Sequence, residues 1–203
     1  RTIQNGSMGG DGAGGAGLMS SINTVLVNST VSGNFSGSDD GNSLGGGVLF
    51  NSLGNPVSLR FENVTLVNNE AESSTGISRG GGIITVQGDV VLVNTILAQN
   101  TSSDAGPDCF EDGGSIISDG FNIVGDSSGC DFTANLNDIV GGGGARPIDP
   151  LVGPLQDNGG RTRTHILLEN SPAIDMADPE DPAVSGSCSE TDQRGDMRPM
   201  DGN

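Results

Sequence analysis

The sequence predicts an all-β protein built as a solenoid, in which short parallel strands stack turn upon turn. Apolar β-branched residues form short runs between Gly, Asn, Ser and Asp, as in VLV at 25–27 and IITV at 83–86. Almost no window of eleven residues lacks Gly or Pro, which disfavours helices. Two sequence markers also recur at intervals of 30 to 35 residues. Together these observations predict strands of roughly four to six residues in a repeating coil.

The first marker is a strand bordered by asparagines. The segments NSTVSGN at 28–34, NVTLVNN at 63–69 and NTILAQN at 94–100 align without gaps, at spacings of 35 and 31 residues. Their central apolar column is predicted to line the interior. Asn tolerates left-handed backbone, and its amide can bond to the equivalent Asn one turn away. The two flanking columns are therefore predicted to be structural ladders: Asn28, Asn63 and Asn94 in one, and Asn34, Asn69 and Asn100 in the other.

The second marker is a glycine-rich start to another strand. GAGLMS at 15–20, GGGVLF at 45–50 and GGGIIT at 80–85 follow one another at spacings of 30 and 35 residues, in register with the first marker. A helical repeat of this length is excluded by the Gly and β-branched content. Turns of about 30–35 residues are thus predicted over residues 1–130. Residues 131–203 are predicted to form a cap-like C-terminal end of the same domain.

Composition limits the partners of this 203-residue chain. Acidic residues outnumber basic ones 26 to 8, which gives a net charge of −18, and all eight basic residues are Arg. Such a balance argues against nucleic acid and anionic membranes. The chain lacks any run of 18 apolar residues, so membrane insertion is not expected. The absence of Tyr and Trp removes the aromatic platforms that sugar-binding sites commonly use.

At the family level, the Gly triplets followed by the Asn-bordered strand resemble the right-handed parallel β-helix of bacterial surface proteins related to polymorphic outer-membrane proteins. GPDC at 106–109, GFNIVGDSSGC at 120–130, the long string at 149–175 and CSETDQRGDMRP at 188–199 resemble the C-terminal choice-of-anchor Q domain of such proteins. The resemblance spans roughly residues 14–200. It implies a right-handed β-helix that is secreted or attached to the cell surface, with no established catalytic activity to carry over.

The resemblance also implies a disulfide between Cys109 and Cys130, the alternative being two reduced, buried thiols. The family pattern continues beyond Arg-Pro to a Cys-Asp-Ile-Gly-Ala-type ending that this chain does not contain. Cys188 therefore lacks its expected partner. It is free, or pairs between molecules, or its partner has been removed.

Candidate catalytic residues are few. His165 is the single histidine, and no nucleophile elbow of the G-x-S-x-G type lies near it, so a structural role is expected. Parallel β-helices also include polysaccharide lyases and glycosidases, which need a basic residue or paired carboxylates. Here Arg60 and Arg79 stand isolated in sequence. A groove lined by either of them with two or more carboxylates would favour a carbohydrate-active protein.

Two further kinds of site stay open. Acidic clusters suit Ca²⁺, although no EF-hand pattern or zinc spacing accompanies them and the ligands cannot be assigned; they are Asp39/Asp40, Asp108/Glu111/Asp112 and Asp175/Asp178/Glu180/Asp181. The chain also contains five N-x-[ST] glycosylation sequons, at Asn5, Asn28, Asn34, Asn63 and Asn100. Most of these asparagines are predicted ladder residues, so the structural role explains them first.

The function expected from these features is structural. We expect an extracellular or cell-surface solenoid without catalytic activity. It would act as an adhesin, with cell-surface glycans among its candidate partners, or as a subunit that stacks end to end with copies of itself into a fibre. The alternative is a carbohydrate-active or carbohydrate-binding β-helix.

Overall fold

The protein is described by a computed structural model covering residues 2–3, 6–8, 17–178 and 189–198. These residues contain strands and turns and no helix, so the all-β prediction is confirmed. In this part of the chain, no helix offers the length and apolar character needed to cross a membrane. The strands are β1 Thr2–Ile3, β2 Gly6–Met8, β3 Leu18–Ser20, β4 Thr24–Ser32, β5 Phe35–Ser38, β6 Ser43–Leu44, β7 Val48–Asn51, β8 Ser58–Val67, β9 Glu70–Ser73, β10 Ser78–Arg79, β11 Ile83–Val93, β12 Ile96–Ala98, β13 Thr101–Ser102, β14 Cys109–Glu111, β15 Gly114–Ser118, β16 Ile123–Val124 and β17 Ile139–Val140.

The strands stack in parallel to form a β-solenoid of about three turns. One stack joins β4, β8, β11 and β15. A second, which we call the long stack, joins β1, the later halves of β4 and β8, then β12, β16 and β17. A third joins β2, β5, β9 and β13, and a fourth joins β3, β7, the start of β11 and β14. The chain visits these stacks in turn.

The register of the long stack follows the repeat in the sequence. Thr30 pairs with Thr65 and Thr65 with Ile96, so the predicted spacings of 35 and 31 residues are those of the strands. The turns then shorten, because Ile123 follows its partner Ile96 by 27 residues and precedes its partner Ile139 by 16. A turn length of 30–35 residues is therefore wrong for this end of the solenoid, where the loops between strands are shorter.

The core is a set of inward-facing columns that run across the turns. Val31, Leu66 and Leu97, the predicted interior column, are fully buried, and Val124 continues the column into the next turn. Removal of such side chains from water is the main stabilising contribution. Gly47, within a triplet, has no room for a side chain, since a Cβ atom there would lie 2.7 Å from the Gly82 carbonyl oxygen of the next turn. The triplets thus mark close approaches between turns.

The C-terminal segment contacts the side of the solenoid at several points. From Asp149 onward the chain returns along the outer side of the long stack, where Gln99 donates to Asp149 Oδ1 at 2.9 Å. Farther along, Ser32 Oγ lies 2.8 Å from a ring nitrogen of His165. The outward-facing row of the long stack is uncharged, and Thr30 in this row is 1% exposed. Charged side chains of the segment near this row are paired or hydrogen-bonded, as Arg194 is with Asp192 and Arg198 with Asn28, so no unpaired charge is buried there among the described residues.

Cys109 and Cys130 form a disulfide, which confirms the pairing implied by the family resemblance. Cys188 lies outside the described residues, so its pairing stays a prediction.

Candidate functional site

A cleft with a volume of about 470 Å³ lies between the long stack and the C-terminal segment. That volume falls within the range of small-ligand sites. The outer side of the solenoid forms its floor, and residues 158–167 form the opposite wall. The ends are formed by Ala177 and by the loop 192–198. Other lining residues are Thr30, Asn63, Val64, Thr65, Asn94, Ile96, Asn158 and Thr164 to Leu167.

The floor of the cleft is built around the first asparagine column. Asn28, Asn63 and Asn94 have φ values of 46°, 56° and 50°. Asn tolerates this left-handed conformation better than most residues, which explains its recurrence. Asn28 and Asn63 lie within β4 and β8, at the corner where the first stack passes into the long stack. The same backbone geometry therefore recurs on three successive turns and places three amides on the same side of the solenoid.

The amides of this column do not form the predicted ladder. Asn28 donates from Nδ2 to the Thr191 carbonyl oxygen at 2.8 Å, and its Oδ1 accepts from Arg198 at 3.0 Å. The Nδ2 atoms of Asn63 and Asn94 are buried and have no hydrogen-bond partner. The ladder prediction is wrong here because the corner directs these side chains towards the C-terminal segment. Buried donors without partners cost about 1–3 kcal/mol each, which makes them unusual in a native fold.

The wall opposite the floor is a short irregular hairpin. Isolated antiparallel bridges join Val152 to Leu167 and Gln156 to Thr164. Asn158, in the DNGG turn, donates to the carbonyl and hydroxyl oxygens of Thr164 at 2.9 and 3.0 Å. These bonds hold the hairpin closed and leave its inner edge facing the solenoid.

His165 is bonded through both ring nitrogens. Its Nδ1 lies 2.6 Å from the Gly153 carbonyl oxygen, which can only accept, so Nδ1 carries the proton. Its Nε2 lies 2.8 Å from the hydroxyl of Ser32 on the solenoid. The ring therefore fastens the hairpin to β4, in line with the structural role that the sequence favours.

The charged groups at the end of the cleft neutralise one another. Arg194 Nε donates to Asp192 Oδ2 at 2.7 Å, and its Nη2 lies 3.1 Å from Asp196 Oδ2. Asp192 Oδ1 also accepts the backbone N–H groups of Arg194, Gly195 and Asp196. Partial burial opposes ionisation of Asp192, but these hydrogen bonds prevail and lower the pKa of its carboxyl. Asp192 is thus a fixed anion already paired with a cation.

The two arginines proposed from sequence lie away from the cleft. Arg60 pairs with Glu62 at 2.7 Å and with Asp119, on the outer face of the first stack. The Arg79 guanidinium lies 4.7 Å from the centre of the Phe110 ring. Neither lines the cleft. Arg60 therefore has two carboxylates beside it, but a groove lined by either arginine with two or more carboxylates, the feature that would favour a carbohydrate-active protein, is not found at this cleft.

The second asparagine column is a continuous chain of hydrogen bonds inside the core. Asn34 Nδ2 donates to Asn69 Oδ1 at 2.7 Å, and Asn69 Nδ2 donates to Asn100 Oδ1 at 2.8 Å. Asn100 Nδ2 in turn donates to Asp108 Oδ1 at 2.8 Å. Burial raises the pKa of Asp108 to about 6, although its hydrogen bonds from Asn100 and Asp126 oppose the shift.

Sequence reasoning missed a second aspartate of this kind. Asn122 donates its backbone N–H and its side-chain amide to Asp138 Oδ1 at 2.7 and 3.1 Å. The signal in the sequence is weak, because neither Asp108 nor Asp138 falls in the aligned repeat. Both become recognisable only when the fold places their carboxylates against an Asn.

The asparagines of the predicted glycosylation sequons differ in burial and in hydrogen bonding. Asn34 and Asn100 are 1% and 4% exposed with their amides engaged in the ladder, so glycosylation there is incompatible with the fold. The Nδ2 atom of Asn63 is likewise buried. Asn28 uses its amide for Thr191, and Asn5 lies outside the described residues.

The acidic clusters do not come together as a metal site in the described ranges. There, no group of three or more His, Cys, Asp and Glu side chains is placed to hold a metal ion. Asp108 is committed to the amide ladder, and Glu111 accepts the backbone N–H groups of Ile116 and Asp131. Glu180 and Asp181 lie outside the residues that the structure describes. Their part in Ca²⁺ binding stays a prediction.

The geometry defines a parallel β-solenoid with a lateral cleft closed by its own C-terminal segment. Comparison with protein-family models gives no match, and comparisons with curated proteins and with solved structures give none either. The assignment to a class therefore rests on the fold, the repeat and the cleft.

Proposed function

We propose that this chain is an extracellular or cell-surface β-solenoid that acts as an adhesin, binding its target in the lateral cleft without catalysis. The observation that carries the proposal is the pair of unpartnered amide donors, Asn63 and Asn94, on the floor of a cleft of about 470 Å³. Buried polar groups are normally satisfied, so buried donors without partners in residues that line a cleft favour ligand binding.

The chemistry of the lining favours binding over reaction. General acid–base catalysis needs groups that can exchange protons near neutral pH. His165 is held through both ring nitrogens, and Asp192 is tied to Arg194 with a lowered pKa. Glycoside hydrolysis needs two carboxyl groups on opposite sides of the substrate. Asp192 is the carboxylate among the described lining residues, which favours carbohydrate binding over the carbohydrate-active alternative.

An extracellular location is supported by three features. The disulfide between Cys109 and Cys130 suits an oxidising compartment. The net charge of −18 suits a solvated, self-repelling surface. The motifs similar to polymorphic outer-membrane proteins and the choice-of-anchor Q domain point the same way, and we propose that the chain is a member of this group.

Stacking into a fibre is the second candidate function. Among the described strands, β1, β2 and β3 each pair with one neighbour, and a strand edge without a partner could pair with another chain. At the other end the turns shorten and the chain folds back, with Ile148 donating to the Gly125 carbonyl oxygen at 2.8 Å. Head-to-tail growth needs two open ends. This end is partly closed by its own chain, so the adhesin is the better-supported proposal.

Surface binding and microscopy test the proposal together. Labelled protein is applied to glycan-coated surfaces and to cells, and the same material is imaged by electron microscopy with and without a calcium chelator. Saturable binding by short single rods supports the adhesin. Fibres, with no binding to any surface, would instead support the stacking function. If the fibres are lost on chelation, Ca²⁺ contributes to the contact between stacked subunits.

A further inference from the structure

We propose that Asn63 and Asn94 are the ligand-recognising residues of the cleft, and that the ligand is an uncharged terminal sugar residue. The proposal rests on the proposed function, since it assumes that the cleft is the binding site. It goes further in naming the groups that bind and the chemistry that they select.

The two amides occupy equivalent positions on neighbouring turns. Glu62 pairs with Val93 just before them, and Thr65 pairs with Ile96 just after them. The backbones that carry them are therefore separated by about one strand spacing, ~4.8 Å. Two equatorial hydroxyl oxygens on alternate carbons of a pyranose ring lie at about that separation. Such a pair of oxygens can accept from both amides at once.

The preceding turn shows how such an amide is used. Asn28 donates to the Thr191 carbonyl oxygen at 2.8 Å, and Thr30 donates to the side-chain oxygen of Gln193 at 2.7 Å. The loop 189–198 thus supplies acceptor oxygens to the first of three equivalent positions. At the next two positions, the Nδ2 atoms of Asn63 and Asn94 have no acceptor. A ligand bearing oxygen acceptors would accept from Asn63 and Asn94 in the way that the loop 189–198 accepts from Asn28.

The electrostatics favour an uncharged ligand. Arg194 is engaged by Asp192 and Asp196, and Arg198 donates to Asn28 and to backbone carbonyl oxygens. The cationic groups at the end of the cleft are therefore already neutralised or hydrogen-bonded. The net charge of −18 also disfavours anions. A cation would meet a carboxylate, Asp192, that is already paired. Neutral hydroxyl groups have no such penalty.

The size and the walls favour a compact ring. The volume of about 470 Å³ suits a ligand of small size. Ile96, Ile166 and Leu167 present apolar surface that can face the C–H groups of a sugar. Both Nδ2 atoms are covered in this structure. The ligand therefore reaches them only when the hairpin shifts, which requires the hydrogen bond between His165 and Ser32 to open.

Isosteric variants test the donors directly. Asn63→Asp and Asn94→Asp remove the N–H donors but keep a residue that tolerates positive φ. Asn94→Asp also keeps the oxygen that accepts from the Asp178 N–H. The matched control is Asn68→Asp, because Asn68 is exposed, has a φ of 57° and lies outside the cleft. Asn63→Gly and Asn94→Gly, which carry no added charge, serve as second variants, and circular dichroism checks that every variant is folded.

The chain is screened on an array of neutral, sialylated and sulfated glycans and uncharged peptides, and the best glycan is titrated calorimetrically. We expect a neutral glycan to bind, each cleft variant to weaken it by at least about tenfold, and Asn68→Asp to change Kd less than about twofold. Equal binding by folded cleft variants, or a preference for charged glycans or peptides, would overturn the sugar assignment. If the sugar assignment is overturned but the wild type still adheres to cells, the proposed adhesin function stands without the sugar ligand. If the wild type binds no surface and no glycan, the adhesin function and the sugar assignment both fail.

Discussion

Asn100 and Asp108 form the end of the buried amide ladder, because one carboxylate oxygen of Asp108 accepts both the side-chain amide of Asn100 at 2.8 Å and its backbone N–H at 2.9 Å. Every Asn in the ladder donates towards this end, from Asn34 through Asn69. An Asn at the last position would bring an N–H₂ group with no further turn to accept it. A carboxylate accepts and has nothing left to donate, so an aspartate suits the terminus.

The centre of the ladder should be critical for stability. Asn69→Ala would remove the oxygen that accepts from the backbone and side-chain N–H groups of Asn34, and the amide that donates to the Val31 carbonyl oxygen. We expect the free energy of unfolding to fall by about 3 kcal/mol or more. Urea denaturation followed by circular dichroism measures this. The neighbouring Asn68→Ala, at an exposed position with positive φ, is the control and should cost only about 1–2 kcal/mol. Equal losses would show that the buried amide contributes nothing beyond backbone conformation.

The terminal carboxylate should matter as much. Asp108→Ala removes the acceptor for two N–H groups of Asn100 and for the backbone N–H of Asp126. We expect a loss of about 3 kcal/mol, since three buried donors lose their partner. Asp112→Ala, four residues on at an exposed position, should change stability by less than about 0.5 kcal/mol. Thermal or chemical unfolding measures the stability of the two variants. A loss of stability in Asp112→Ala but not in Asp108→Ala would contradict the role of Asp108 at the end of the ladder.

Asp108 should also make stability depend on pH. Its pKa is about 6 in the folded protein, above the ordinary value of 3.8. Between these values the folded state binds more protons than the unfolded state, so stability rises as pH falls from about 6 to about 4. The full effect is about 3 kcal/mol. Unfolding at pH 7, 5.5 and 4.5 should show the rise in wild type and a flatter profile in Asp108→Asn. Parallel profiles would assign the titration to other groups.

The disulfide should stabilise the shortened turns. Cys109 and Cys130 are 21 residues apart, and closing such a loop is worth about 3 kcal/mol in the unfolded state. The double variant Cys109→Ser/Cys130→Ser should lose about that much. The wild type measured with and without a reductant provides the matched comparison. If reduction leaves the unfolding midpoint unchanged, the bond does not constrain the unfolded chain as expected.

Much of the fold is readable from local residues because the solenoid repeats itself. Thr30, Thr65 and Ile96 occupy one column in the alignment of the sequence and one row of paired strands in the structure. Each turn contacts mainly its neighbours, so a pattern repeated along the chain becomes a pattern repeated in space. The strand registers and the buried apolar column therefore follow from the spacing of the markers alone.

The cleft could not be predicted in this way. Asn28, Asn63 and Asn94 look like the ladder column Asn34, Asn69 and Asn100 in the alignment. Only their backbone direction distinguishes them, because one column turns its amides inward and the other turns them towards the C-terminal segment. The contact between Asn28 and Thr191 spans 163 residues, and nothing in the local sequence of either residue indicates it.

The all-β class, the stacking of turns and the buried apolar column follow from the residues alone, because these features depend on short-range periodicity. The position of the C-terminal segment, the amides without partners and the aspartates that end the ladders follow only from the folded chain. Those features depend on side chains that meet from distant parts of the chain. Their partners are set by where the shortened turns and the returning segment come to rest on the solenoid.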